Sequence, residues 1–148
     1  MIVKLAPNID ERFEKSDKKG QLPLKMYKKD FNPDRLYIVC EIQRDFIRLL
    51  PEYSQEEREK RRFLPLIYLY AIEFFETVEE TIPSEWFLVL SREGQTLSGS
   101  ATELGLSKYS ELINYENVRA YPQNLGLGAF ASFCEGDPLY IDKCTKYA

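Results

Sequence analysis

The feature that most constrains this chain is the stretch from Arg62 to Pro83, RFLPLIYLYAIEFFETVEETIP. Ten of the eleven residues from Phe63 to Glu73 are apolar, aromatic or proline, and glutamate then takes over. A membrane-spanning helix needs about 20 apolar residues. This run reaches half of that, holds Pro65, and is bounded by Arg61, Arg62 and Glu73. It therefore reads as a buried core element. Ser54 followed by Glu57 is a capping box before an apolar run, so the spacing predicts a helix from about Gln55. Pro65 would kink it, and Pro83 would stop it just after Thr81.

Along the rest of the chain, MIVKLA reads as a strand, and Ile9 to Lys15 as a short helix or a loop. LPLKMYKKDF, with its proline and lysines, suits an edge strand. Asn32-Pro33 has the form of a cap followed by proline at the first helical position. Leu36, Val39, Cys40, Phe46, Ile47 and Leu50 then recur at helical spacing, which predicts a helix from about Pro33 to Leu50. The rival is a strand through LYIVCEI, whose β-branched residues favour it. Trp86 to Leu90 suits a buried strand, SREGQTLSGS a loop, Lys108 to about Tyr115 a short helix, and NVRAY a strand. NLGLGAFASFCEGDP fits a helix or a strand, and PLYIDK a short strand. The expected architecture is one α+β domain over residues 1–148: about four helices packed on a small, mostly antiparallel sheet. A long Pro-kinked helix over about 55–81 would lie at its centre.

Composition bounds function by exclusion. The 148 residues include no histidine, which removes the Ser-His-Asp triad, the Cys-His pair and imidazole metal sites. The three cysteines, Cys40, Cys134 and Cys144, form no CxxC motif and read as reduced core residues, with a Cys134–Cys144 bridge as the alternative. No cofactor or metal is expected. No secretion signal is evident, and a cytoplasmic protein is the expectation.

The net charge of −4 is unevenly spread. Residues 1–62 carry 15 Lys and Arg against 12 Asp and Glu, and residues 63–148 carry 5 against 12. Five glutamates, Glu73, Glu76, Glu79, Glu80 and Glu85, occur with no Lys or Arg between them. On a helix Glu73, Glu76 and Glu80 would form one stripe, crowded at the end where the backbone dipole is already negative. Either this is a solvated face, or Lys15 to Lys29 folds over it, or it docks a partner with a basic surface. The docking reading makes the chain a non-enzymatic protein-binding module of the inhibitor, immunity or adaptor type, with an acidic, Tyr-containing face. An acidic balance disfavours nucleic acid.

Two segments carry further readings. SATELGLSKYSELIN resembles the helix-turn-helix pattern of bacterial DNA-binding proteins, with Ala101 and Leu104-Gly105-Leu106-Ser107 at the turn. That resemblance implies DNA contact through Ser107, Lys108 and Tyr109. PDRLYIVCEIQ resembles the metal site of restriction-type nucleases, with Asp34 and Glu41 as carboxylates and Gln43 in place of the lysine. A third class is a carboxylate-based enzyme or small-molecule binder with the Ser91 to Ser100 loop as a lid.

Overall fold

The computed structural model describes residues 1–51 and 68–122. Among these residues eight strands form one sheet in which every pairing is antiparallel: β1 (Ile2–Leu5), β2 (Tyr37–Gln43), β3 (Phe46–Pro51), β4 (Tyr70–Ala71), β5 (Phe75–Glu79), β6 (Trp86–Arg92), β7 (Gln95–Ser100) and β8 (Asn117–Pro122). The helices among the described residues are short: α1 (Ile9–Lys15), α2 (Leu24–Asp30) and α3 (Tyr109–Leu112), with a 3₁₀ turn over Ile72–Phe74. The expected fold of about four helices around a long central one is thus corrected to a sheet protein.

The main path runs β4-β3-β2-β8-β6-β7. β2 forks it. Along one edge β2 pairs throughout with β3. Along the other, Tyr37 and Ile38 pair with β1, while Ile42 and Gln43 pair with β8. β1 pairs in turn with β5.

The helix expected over Pro33–Leu50 is instead the β2–β3 hairpin. Val39 opposes Leu49 and Glu41 opposes Arg48, so Cys40 is the extra residue of a bulge. The bulge breaks the two-residue alternation. Val39 and Cys40 are both buried, and Leu49 and Leu50 likewise, which mimics the i, i+3, i+4 rhythm of a helix. Asn32 serves a turn rather than a cap: the Asp34 amide donates to its Oδ1 at 2.9 Å.

Of the expected helix over 55–81, residues 55–67 lie outside those described. The rest is β4, the 3₁₀ turn and β5. One 3₁₀ turn between two strands carries Phe74 and Phe75, adjacent in sequence, both into the core. The segment expected as an edge strand is α2. Leu24, Tyr27 and Phe31 fall on one helical face, and Lys25, Lys28 and Lys29 face solvent. The loop expected after Ser91 is a hairpin: Glu93 and Gly94, at φ 50° and 79°, turn β6 into β7. The strands expected over MIVKLA, Trp86–Leu90 and NVRAY are present, as is the helix over Ile9–Lys15. The readings of NLGLGAFASFCEGDP and PLYIDK, and any Cys134–Cys144 bridge, fall outside the described residues. Cys40 is buried.

One register row shows where the core lies. Tyr70, Ile47, Ile42, Ala120, Leu88 and Gly99 face one another across six strands, and all are buried. Gly99 ends this row because the turn after β7 presses on it: a Cβ there would sit 2.9 Å from the Glu103 carboxylate. α2 covers the other end. Tyr27 and Phe31 stack among Tyr37, Tyr70, Phe74 and Phe75, with ring centroids 4.6–6.3 Å apart. The tyrosine hydroxyls in this cluster are all bonded. Tyr70 donates to Asp30 at 2.5 Å, Tyr27 accepts the Ala71 amide at 3.0 Å, and Tyr37 accepts the Asn32 amide at 2.8 Å. Burial, with the bond to Asp30 behind it, pushes the Tyr70 hydroxyl far up; burial also raises that of Tyr27.

Candidate functional site

The acidic run does not form a helical stripe. It is divided between two environments. Glu73 lies in the 3₁₀ turn, where it accepts the Ser16 hydroxyl and sits 3.8 Å from the Lys18 ammonium. Glu76, on β5, is 3.7 Å from Lys4 and 3.9 Å from Arg12. The Arg12 guanidinium also donates to the carbonyls of Glu73 and Phe75, at 3.0 and 3.3 Å. Lys18 further meets Asp17 at 3.2 Å and Asp45 at 3.8 Å. Its hydrogen bond to Asp17 is the main reason its pKa is raised, with Glu73 and Asp45 adding to it. The N-terminal segment therefore folds over this half of the run and neutralises it. Of the residues expected to do so, Lys18 takes part, and Arg12 and Lys4 join it.

Glu79, Glu80 and Glu85 pair with no Lys or Arg among the described residues; Glu79 lies near the Met1 ammonium, whose pKa burial lowers and Glu79 partly restores. Glu79 ends β5, opposite Ile2. The chain after it is pinned by backbone bonds to the segment before α3. The Tyr109 amide donates to the Glu80 carbonyl at 2.9 Å, the Ile82 amide to the Ser107 carbonyl at 2.8 Å, and Thr81 bridges Lys108. Glu85 accepts the Ser84 hydroxyl at 2.8 Å. Two of the most exposed large apolar side chains of the described residues flank these segments in the chain: Val78, at 52%, directly precedes Glu79, and Ile113, at 65%, directly follows α3. The result is a corner with three carboxylates on a backbone held by hydrogen bonds.

The same pairing decides the segment that resembles a helix-turn-helix. Its first helix is strand β7 followed by a turn at Ala101–Gly105, with Gly105 at φ 69°. Its second is the single turn α3. Glu111 caps α3 by accepting the Ser107 and Lys108 amides at 2.9 and 3.4 Å. Ser107 and Lys108 are exposed, but no recognition helix carries them. Tyr109 is half-buried over a cavity of about 80 Å³ lined also by Arg44, Asp45, Leu112 and Tyr115. Burial, then the Asp45 carboxylate, pushes its hydroxyl up to about 12.

The carboxylates of the nuclease-like segment do not gather a metal site. Glu41 accepts Arg48 Nε at 2.9 Å across the β2–β3 hairpin and Gln43 Nε2 at 3.3 Å. Among the described residues no three His, Cys, Asp or Glu side chains are placed to hold a metal ion, and no helix is long and apolar enough to cross a membrane.

Sequence reasoning missed a concavity on the sheet. On the outer face of the sheet, Phe46, Gln43, Arg119 and Val89 oppose one another in register across β3, β2, β8 and β6. Asn117, Ser91 and Thr96 form the next row. With Arg44 from the β2–β3 turn they line a groove of about 510 Å³. The available signal was the polar half of the alternation in QRDF and NVRAY, legible only once both are known to be neighbouring strands. Comparison with protein-family models, with curated proteins and with solved structures finds no match for this chain.

Proposed function

We propose that this chain is a protein-binding module that docks a partner with a basic surface at the corner formed by Glu79, Glu80 and Glu85. The observation that supports this reading is the division of the acidic run. Glu73 and Glu76 are engaged within the chain, whereas Glu79, Glu80 and Glu85 meet no Lys or Arg among the described residues. Interfaces combine apolar anchors with a charged rim, and complementary charge steers association. Val78, exposed next to Glu79 on β5, would be an anchor, and the glutamates the rim. Because the backbone here is cross-bonded to residues 107–109, docking would cost little ordering of the chain.

The test is affinity capture from host lysate at low and high salt, run in parallel with a Glu79→Lys/Glu80→Lys/Glu85→Lys variant and with a Glu103→Lys control. The expected result is a stoichiometric protein that high salt weakens, that the triple variant loses and that the control keeps. A captured protein indifferent to the triple reversal, or none captured, overturns the acidic corner as the docking site.

A further inference from the structure

The groove on the outer sheet face is a charged site as well as a concave one. Its lining holds two arginines, Arg44 and Arg119, and no Asp or Glu. Both are exposed, and neither makes an ion pair among the described residues. This contrasts with Arg48 two positions along β3, which is tied to Glu41 at 2.9 Å, and with Arg12, which spans two carbonyls and a carboxylate. Arg119 stands in the middle of the sheet, with Gln43 opposite on one neighbour and Val89 on the other. A long cation at such a place has strands on both sides, and its fork can be met only from above the sheet.

Arg44 is placed by a separate device. It sits at φ 55°, a left-handed conformation that favours glycine, and its amide donates to the Val118 carbonyl at 2.6 Å. The turn thus carries arginine where the backbone alone would prefer glycine. Strained positions of this kind concentrate at binding sites. Around the two cations, Phe46 and Val89 supply apolar contact, and Asn117, Ser91 and Thr96 supply hydrogen-bonding groups. The volume lies within the range of small-molecule sites, roughly 300–1,000 Å³.

We infer that this groove binds a small organic anion, a carboxylate or phosphate monoester on an apolar body. Arg44 and Arg119 take the anionic group, Phe46 and Val89 the body. Arginine suits both acid classes because its planar fork meets two oxygens at once. The site is independent of the acidic corner, which carries the opposite charge and lies on other strands.

The experiment is a titration of the ¹⁵N-labelled chain followed by amide shifts. The probes are phenyl phosphate, benzoate, inorganic phosphate and phenethylamine. The expected result is that phenyl phosphate or benzoate shifts the amides of Gln43, Val89, Ser91, Asn117 and Arg119, saturably. The stronger of the two identifies the acid class. Arg119→Gln and Arg44→Gly should each weaken binding by about tenfold, the loss of one charge-assisted hydrogen bond. Arg44→Gly suits the backbone of its turn, so its spectrum also reports that the fold is kept. Equal response to inorganic phosphate would mean an adventitious ion only and overturns the inference. Equal response to phenethylamine, binding unchanged in both variants, or no shift with either aromatic acid overturns it as well.

Discussion

The two faces of strands β2, β8 and β6 share one backbone and differ in everything else. Inward, Ile42, Ala120 and Leu88 stand in register with no exposure at all. Outward, one residue along each strand, stand Gln43, Arg119 and Val89, half-buried or exposed. The inner row is constrained by volume and polarity, because every atom there displaces another and any polar group must be satisfied. The outer row is held in position by the inner one but is not itself needed to bury a core. A rigid sheet that presents uncommitted side chains is a good platform for recognition.

The contrast can be broken first on the inner side. Phe31→Ala empties a site packed by Tyr37, Tyr70 and Phe75 and should cost about 3–5 kcal/mol. Urea unfolding would show it as a lower midpoint at an unchanged slope. A loss below about 1 kcal/mol would mean that the cluster is not the core.

Next in size is a pH effect confined to buried tyrosines. Tyr27, Tyr70 and Tyr109 all have raised pKa values, with burial the largest cause. In the unfolded chain a tyrosine ionises near pH 10. Below that both states hold the proton and the stabilisation is complete. Above it the unfolded state releases protons that the folded state keeps, so stability falls with rising pH, by about 1.4 kcal/mol per pH unit for each fully linked group. For Tyr109 the loss runs from about pH 10 to about 12. Thermal melting between about pH 8 and 11 should show this decline, and Tyr109→Phe should make it shallower. An identical slope in that variant would remove Tyr109 from the account.

On the outer side the sign reverses. Arg44→Gly relieves a left-handed conformation and should stabilise the fold by about 1 kcal/mol. A destabilised variant would show that the Arg44 side chain supports the fold. The acidic run supplies a smaller comparison. Glu73→Gln disrupts contacts to Ser16 and Lys18, and should cost up to about 1 kcal/mol at low salt and less at high salt. Glu80→Gln, with no such partner among the described residues, should be neutral. Equal effects would erase the division on which the docking corner rests. Smallest of all, Arg119→Gln should change stability by no more than about 0.5 kcal/mol.

Elements whose burial follows one clean period were legible in the sequence. Ile2–Leu5, Trp86–Leu90 and Asn117–Tyr121 alternate or run apolar, and they are strands. The misreadings share a cause. Cys40 in its bulge, and the 3₁₀ turn that buries Phe74 beside Phe75, each add one residue to a two-residue rhythm. One insertion turns alternation into something close to a helical repeat. α2 was hidden the other way: Pro23 and three lysines look like edge protection until Leu24, Tyr27 and Phe31 are seen to share a face. The acidic run was visible as a composition, but its division was not.

By itself the sequence determined which side chains must leave water, that imidazole chemistry is absent, and that the net charge is negative. Tertiary structure alone decided which charges stay available. Arg12 reaches Glu73 and Phe75 across 61 and 63 positions of chain, and Lys18 meets Glu73 across 55. Local pattern carries no information about such pairs. It records the preferences of neighbours along the chain, whereas a charge is neutralised by whatever folding brings within a few ångströms.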